Sequence, residues 1–297
     1  MAILSLADKN YTSDMFISML SGFLYLGVMM TQFINFQQQA IDLNVNGVDL
    51  KLSVIHRLRQ KKNVILFLHG FGSSKEDYAN ISYYAALNDY DFIAYDAPGF
   101  AQSFCASPEQ LSIEFLVSTA KSVLAHYEID QFHVVGHSMG GLTALQLAHE
   151  LPKRVLSFTD IEGNIAPEDC FLSRQIVQFP TDDPQVFLEQ FIERVRVSYD
   201  PAAALYAANL KLKVNPTSIK PVFSSMVRLS DSGLLMDQFL NLPCPKMFMY
   251  GVTNRHLSYL EFIQAQGVQL AEIEYCGHFP MYSNPVQMWQ QIELNLR

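Results

Sequence analysis

The chain predicts an α/β fold whose sheet is mainly parallel and doubly wound after an antiparallel start. Three observations carry this. Short apolar runs alternate with segments of helical spacing, the pattern of a parallel sheet with helices on its faces. The pentapeptide Gly136-His137-Ser138-Met139-Gly140 stands between one such run and one such helix. A long interval, residues 164–242, then carries helical spacing and no strand-like run.

Each element has its own reason. Ile41-Asp42-Leu43-Asn44-Val45 and Leu50-Lys51-Leu52-Ser53-Val54 alternate with period two around Asn46-Gly47, the signature of a hairpin. Residues 64–68 form a continuous apolar run that ends at His69-Gly70, as a buried strand does. Residues 92–95 form another, ending at Asp96, and residues 111–127 have helical spacing. Phe132, Val134 and Val135 lead into the pentapeptide, and Leu142, Ala144, Leu145 and Leu147 lead out of it on one helical face. Further strands are expected over residues 155–161, 246–250 and 270–275, with a closing helix over residues 285–296. Helix-like stretches at 184–197 and 202–212 fall in the strandless interval, and an interval that long needs structure of its own. The expected organisation is an apolar N-terminal segment (1–40), an α/β core (41–163 and 243–297) and an inserted helical cap (164–242).

Composition narrows the class of function. The 297 residues are 49% hydrophobic and 16% charged, a globular composition with enough chain for one large core. A net charge of −9 without a compensating basic cluster argues against nucleic acid as a partner. Cys105, Cys170, Cys244 and Cys276 are widely spaced and lack C-x-x-C pairs, which points to reduced thiols in a cytosol-like compartment. Residues 15–30 carry no charge and are rich in Phe, Leu, Met and Tyr, but the run is shorter than the roughly 20 apolar residues of a membrane span. No positive n-region or A-x-A site marks it as a signal peptide. Three readings stay open: an apolar helix packed on the protein or a membrane surface, a start at Met29 or Met30, or an anchor. Membrane association through residues 15–36 is therefore the alternative to a cytoplasmic location.

The chemistry starts at Ser138. In G-x-S-x-G, small flanking residues let a strand turn sharply into a helix, and the turn lifts the serine oxygen above the sheet. A serine hydroxyl needs an adjacent base. Of the eight histidines, His278 in Gly277-His278-Phe279-Pro280 has the setting for one, in a loop just past the last strand. His69 and His137 flank the pentapeptide and read as shape-giving residues.

From residue 41 to the end the chain resembles an α/β-hydrolase-fold serine hydrolase. The resemblance rests on His69-Gly70-Phe71-Gly72 after a strand, Asp96-x-Pro98-Gly99-x-x-x-Ser103 after the next, the pentapeptide, and Gly277-His278-Phe279-Pro280. It implies two oxyanion donors, the backbone N–H groups of Phe71 and Met139, each worth on the order of 100- to 1000-fold in rate. It also implies a carboxylate behind the histidine, usually in a G-x-x-D turn after the strand that follows the cap. Here that turn is Gly251-Val252-Thr253-Asn254, so the expected acid is an amide. The alternative position, at the end of the strand after the elbow helix, is Glu162, with Asp160 two residues earlier. Glu162, Asp160 and Asn254 (or no acid at all) are all open, with Glu162 preferred. On that reading Glu162→Gln cuts turnover by orders of magnitude and Asn254→Ala hardly matters.

The expected activity is acyl-enzyme hydrolysis of a small or medium, partly apolar carboxylic ester. An apolar interval containing Phe179, Phe187, Phe191, Tyr199, Leu205, Tyr206, Phe223, Met226 and Met236 argues for the apolar part of the substrate. A thioester, a lactone or a C–C bond beside a ketone would use the same machinery, and a low-turnover receptor or scaffold on this fold is the reading from another class. No cofactor or metal is implied. Gly70-x-Gly72 is neither G-x-G-x-x-G nor a Walker loop, and the acidic pairs Asp182/Asp183 and Glu189/Glu193 have no histidine beside them.

Overall fold

The computed structural model describes residues 36–180, 183–198 and 200–297. The expectations for the apolar run at 15–30, for Met29 and Met30, and for Asp182 and Tyr199 fall outside these residues. Among the described residues no helix is long and apolar enough to cross a membrane.

The chain from Gln37 to Arg297 builds one sheet with helices around it. In chain order the strands are β1 (Gln37–Val45), β2 (Val48–Arg57), β3 (Val64–Leu68), β4 (Asp91–Tyr95), β5 (Phe104–Cys105), β6 (Phe132–His137), β7 (Val155–Ile161), β8 (Lys246–Gly251) and β9 (Gln269–Ile273). The α-helices are α1 (Ile113–His126), α2 (Met139–Glu150), α3 (Phe171–Val177), α4 (Pro184–Arg196), α5 (Pro201–Lys213), α6 (Ile219–Asp231), α7 (Leu235–Leu240), α8 (Leu260–Ala265), α9 (Pro280–Ser283) and α10 (Pro285–Leu296). Strand order is β1-β2-β4-β3-β6-β7-β8-β9, with β5 added to β2. The hairpin β1–β2 and the β2–β4 pair are antiparallel, and every pair from β4 to β9 is parallel.

The elements follow from their residues. β3 and β4 are buried along their whole length; β3 is an uninterrupted Val/Ile/Leu/Phe run and β4 reads Phe-Ile-Ala-Tyr after Asp91, as strands covered on both faces do. Ser112 caps α1 by accepting from Phe115 N–H, and Asp183 and Asp200 cap α4 and α5 ahead of proline at the first helical position. Three differences from expectation have local causes. β1 begins at Gln37, four residues before the expected hairpin start, because a polar edge strand has no alternating pattern to read. The short β5 is held by two residues only. Lys75–Tyr83 forms 3₁₀ turns where no element was expected.

Those turns contain a fully buried lysine. Lys75 Nζ bonds Asp96 Oδ2 at 2.9 Å, and its backbone N–H bonds Asp96 Oδ1 at 2.9 Å. Asp96 thus ties the loop after β4 to the loop after β3, and the Ser103 hydroxyl adds a bond to the Asp96 carbonyl at 2.7 Å. The motif Asp96-x-Pro98-Gly99-x-x-x-Ser103 is here a structural clasp. Between β7 and β8 the chain is helical, and Phe187, Phe191, Tyr206, Phe223 and Met226 are buried in that insertion. Leu205, expected among them, is 53% exposed because it faces away from the sheet side of α5.

The sheet carries histidines that folding holds neutral. Burial lowers the pKa of His133 to about 4, and it lowers His137 well below its ordinary value. An unfolded chain protonates these rings near pH 6.5, so below that pH it binds more protons than the native state. Stability is therefore lost as pH falls from about 6.5 toward 4, by up to about 3 kcal/mol from His133. Urea unfolding at graded pH is expected to show this loss, and His133→Gln to flatten it by that residue's share.

Candidate active site

The site gathers at the carboxyl ends of β3, β6, β7 and β8, where loops leave the sheet and a ligand crevice forms. Ser138 joins β6 to α2 with φ 54° and ψ −118°, a conformation that is costly for a residue with a side chain. Its neighbours permit it. A Cβ on Gly136 would lie 2.3 Å from the Gly140 carbonyl oxygen, and one on Gly140 would lie 2.1 Å from the Leu68 carbonyl oxygen. Any larger residue at either position would push the helix off the sheet. The Ser138 N–H is tied to the Ile161 carbonyl at 2.9 Å, so the turn is also bonded to the next strand.

That next strand supplies a carboxylate. Register pairs His137 with Ile161 and Ile161 with Met249, so Glu162, one residue on, lies between the ends of β6 and β8. Glu162 has φ 48°, which turns the chain out of the strand. Its side chain is 6% exposed, and its Oε2 accepts from His278 Nδ1 at 2.6 Å. Because Nδ1 donates, the Nε2 of His278 carries the lone pair in the neutral ring. Three further bonds hold the acid. Gly251 N–H donates to Oε1 at 2.7 Å, and Asn254 Nδ2 reaches both carboxylate oxygens at 2.8 Å.

Asn254 therefore differs from expectation. It stands in the turn where an acid was expected, and it donates to the acid that occupies the neighbouring strand end. Asn254→Ala would remove two hydrogen bonds from this acid. Asp160 sits one layer deeper. It is fully buried, accepts Gly163 N–H at 2.8 Å and has its acidity weakened well past the usual carboxylate range by burial. It does not line the cavity.

The two other histidines of the motifs orient the loops. Ala97 N–H donates to His69 Nε2 at 2.8 Å, so the His69 proton is on Nδ1 and donates to the Gly70 carbonyl at 2.7 Å. That carbonyl belongs to the peptide that bears the Phe71 N–H. His137 donates from Nε2 to the His278 carbonyl at 2.8 Å, with ring centroids 4.8 Å apart. Burial first, then the neighbouring His278, keeps His137 neutral.

Ser138, Glu162, His278 and Phe71 line one cavity of about 720 Å³. Its walls include Phe191, Tyr206, Phe223, Met226 and Phe279, with Asp169, Arg194, Asn254 and His256 among the polar lining. Met139 is buried and does not line the cavity, so anything it offers there is backbone. By position its N–H is one of the four at a helix start that lack an intrahelical acceptor. His256 also reaches this cavity and bonds the Thr253 carbonyl at 3.0 Å. Neither the Asn254 bonds nor the bond from the Tyr206 hydroxyl to the Phe71 carbonyl is visible in a linear motif. The signal for the first is indirect: a carboxylate at the end of β7 needs donors from the adjacent end of β8.

Comparison with known proteins agrees with this architecture. Residues 63–198 match the α/β hydrolase fold family. A protein of Mycoplasma genitalium named as an esterase/lipase is 22% identical over 233 residues, which cover 74% of this chain and 86% of that one. Among solved structures, an N-acyl homoserine lactonase bound to N-hexanoyl homoserine superposes with TM-score 0.69 at 16% identity, covering 88% of this chain and 96% of that one. A membrane phospholipase A superposes with TM-score 0.63 at 20% identity, covering 95% of each chain. The chain has the α/β-hydrolase fold, and the family match and the esterase/lipase relatives support a hydrolase. Its esterase- and lipase-like relatives make ester hydrolysis the general class of reaction.

The bonds around Glu162 generate a graded expectation for steady-state kinetics. Glu162→Gln is expected to lower kcat by about 10³- to 10⁴-fold, the scale of losing the charge behind a catalytic histidine. Asn254→Ala is expected to cost about tenfold, because the acid keeps its charge and its Gly251 bond but loses two donors. Equal effects from the two substitutions would contradict the arrangement.

Proposed function

We propose that the protein is a serine hydrolase that works through an acyl-enzyme on carboxylic esters with a substantial apolar part. The observation that carries this is the His278–Glu162 hydrogen bond of 2.6 Å at the wall of the cavity that also contains the strained Ser138. Nδ1–H is committed to Glu162, so Nε2 is left as the base. Ser138 Oγ attacks the carbonyl carbon as its proton passes to Nε2, and the carbonyl oxygen becomes an oxyanion. The N–H groups of Phe71 and Met139 receive that charge. Collapse of the tetrahedral species expels the alcohol, which takes the proton from Nε2. Water, deprotonated by the same nitrogen, then releases the acid and restores Ser138. Glu162 stabilises the imidazolium at both stages and stays ionised throughout.

The insertion of residues 164–242 acts as the cap of this site. Its Phe191, Tyr206, Phe223 and Met226 form part of the apolar wall, which supports an apolar acyl or alcohol group in the substrate. A volume of about 720 Å³ is within the usual range for a small-molecule pocket. The esterase/lipase and methyl ester esterase names borne by relatives support an ester as the substrate. A receptor or scaffold reading would draw on the amide Asn254 standing where an acid is usual, and the carboxylate of Glu162 against His278 speaks against it.

Hydrolysis of p-nitrophenyl esters of graded acyl length tests the reading. Turnover above background is expected, with an optimum at an intermediate chain length, and Ser138→Ala is expected to lower it by at least about a thousandfold. Rates for the wild type and Ser138→Ala that coincide at every length would overturn it.

A further inference from the structure

The helix α5 runs past both loops on which the proposed chemistry depends. Near its middle, the Tyr206 hydroxyl donates to the Phe71 carbonyl at 2.9 Å in a buried bond. The same ring packs on Phe279, the residue after His278, with centroids 4.5 Å apart. One turn further, Leu210 closes on the loop. A Cβ on Gly72, whose φ is +68°, would lie 2.3 Å from Leu210 Cδ2 and 2.7 Å from the Tyr206 hydroxyl. The helix is also fixed at its far end, where Ala101 N–H donates to the Lys213 carbonyl at 2.8 Å and Phe100 pairs with Val214.

These contacts act on one residue. The Gly70 carbonyl, before the Phe71 N–H, is held by His69 Nδ1 at 2.7 Å and by Ser73 N–H at 3.2 Å. The Phe71 carbonyl, after it, is held by Tyr206. With both flanking peptides pinned, the direction of the Phe71 N–H is set before substrate arrives. A donor stabilises a transition state most when it needs no reorientation at the moment charge develops. Tyr206 is buried, and its ring is fixed between Phe279 and Phe191, so the hydroxyl is a rigid anchor.

We infer that Tyr206 is the positioning residue of the oxyanion loop, and that α5 is a fixed brace joining that loop to the His278 loop. The inference rests on the reading of Phe71 as an oxyanion donor. Tyr206 acts through the Phe71 peptide, so its effect falls on the transition state and not on ground-state binding.

Tyr206→Phe tests this, because it keeps the ring packing and removes only the bond. The readouts are kcat and KM for a p-nitrophenyl ester, normalised to active sites titrated with a fluorophosphonate, and the affinity for an alkyl boronic acid, which forms a tetrahedral adduct on a nucleophilic serine. The expected result is a kcat per titrated site about tenfold lower, KM within about twofold, and boronic-acid binding weakened by about the same factor as kcat. Gly72→Ala, which presses on the same contact from the loop side, is expected to give the same signature and serves if Tyr206→Phe does not fold. A merely structural role would reduce the number of titratable sites and leave kcat per site unchanged, and that result overturns the inference. So does a change confined to KM. A wild-type protein that neither reacts with the fluorophosphonate nor binds the boronic acid would instead remove the acyl-enzyme reading, and the inference with it.

Discussion

Ser138 stands at φ 54° in a turn for which Gly136 and Gly140, two residues to either side, leave room. With Gly140 against the Leu68 carbonyl and Gly136 against the Gly140 carbonyl, α2 meets the ends of β3 and β6 at backbone contact. That close approach places the start of a helix, with its unpaired N–H groups, beside the serine. It also brings the loop after β3 next to the turn. The Ser138–Ile161 bond carries the constraint across to β7, and sheet register carries it on to β8. Polar groups far apart in sequence arrive in one crevice because adjacent parallel strands end at one level.

The acid illustrates how that register is used. A carboxylate at the end of β7 points toward a gap that β8 must line, and β8 answers with the Gly251 N–H and the Asn254 amide. An amide there serves a purpose that a carboxylate could not. Two acids at that separation would compete for a proton, whereas an amide donates to the one that is present. The histidine loop is held in turn by His137, which stays neutral because it is buried and can thus donate to the His278 carbonyl. The helical insertion contributes on the other side, where its aromatic residues form a wall and α5 reaches down to the loop that carries Phe71.

Much of this was legible in the sequence, and what was not has physical causes. The strand and helix alternation, Ser138 between its glycines, and His278 past the last strand are all local patterns, so they can be read without knowing neighbours in space. Glu162 required one more step, from a strand end to the strand beside it. The Asn254 bonds were missed because a residue type that looks like a loss in isolation is a donor when set against its partner. Lys75 was invisible for a different reason: a lysine is ordinarily exposed, and only its bonds to the Asp96 and Glu76 carboxylates make its burial tolerable. The 3₁₀ turns around it have no hydrophobic period to announce them. Leu205 shows the converse, an apolar residue on a cap helix that faces outward because the helix buries another face.

The bond between Glu162 and His278 is the interaction whose existence most directly decides the account. An imidazole N–H held at 2.6 Å from a buried carboxylate exchanges slowly and is strongly deshielded magnetically. Proton NMR in the far-downfield region measures it, with selective ¹⁵N-histidine labelling to assign the signal to Nδ1 of His278. A single such resonance is expected in the wild type, absent in Glu162→Gln and retained in Ser138→Ala. Its survival in Glu162→Gln, or its absence from the wild type, would contradict the account.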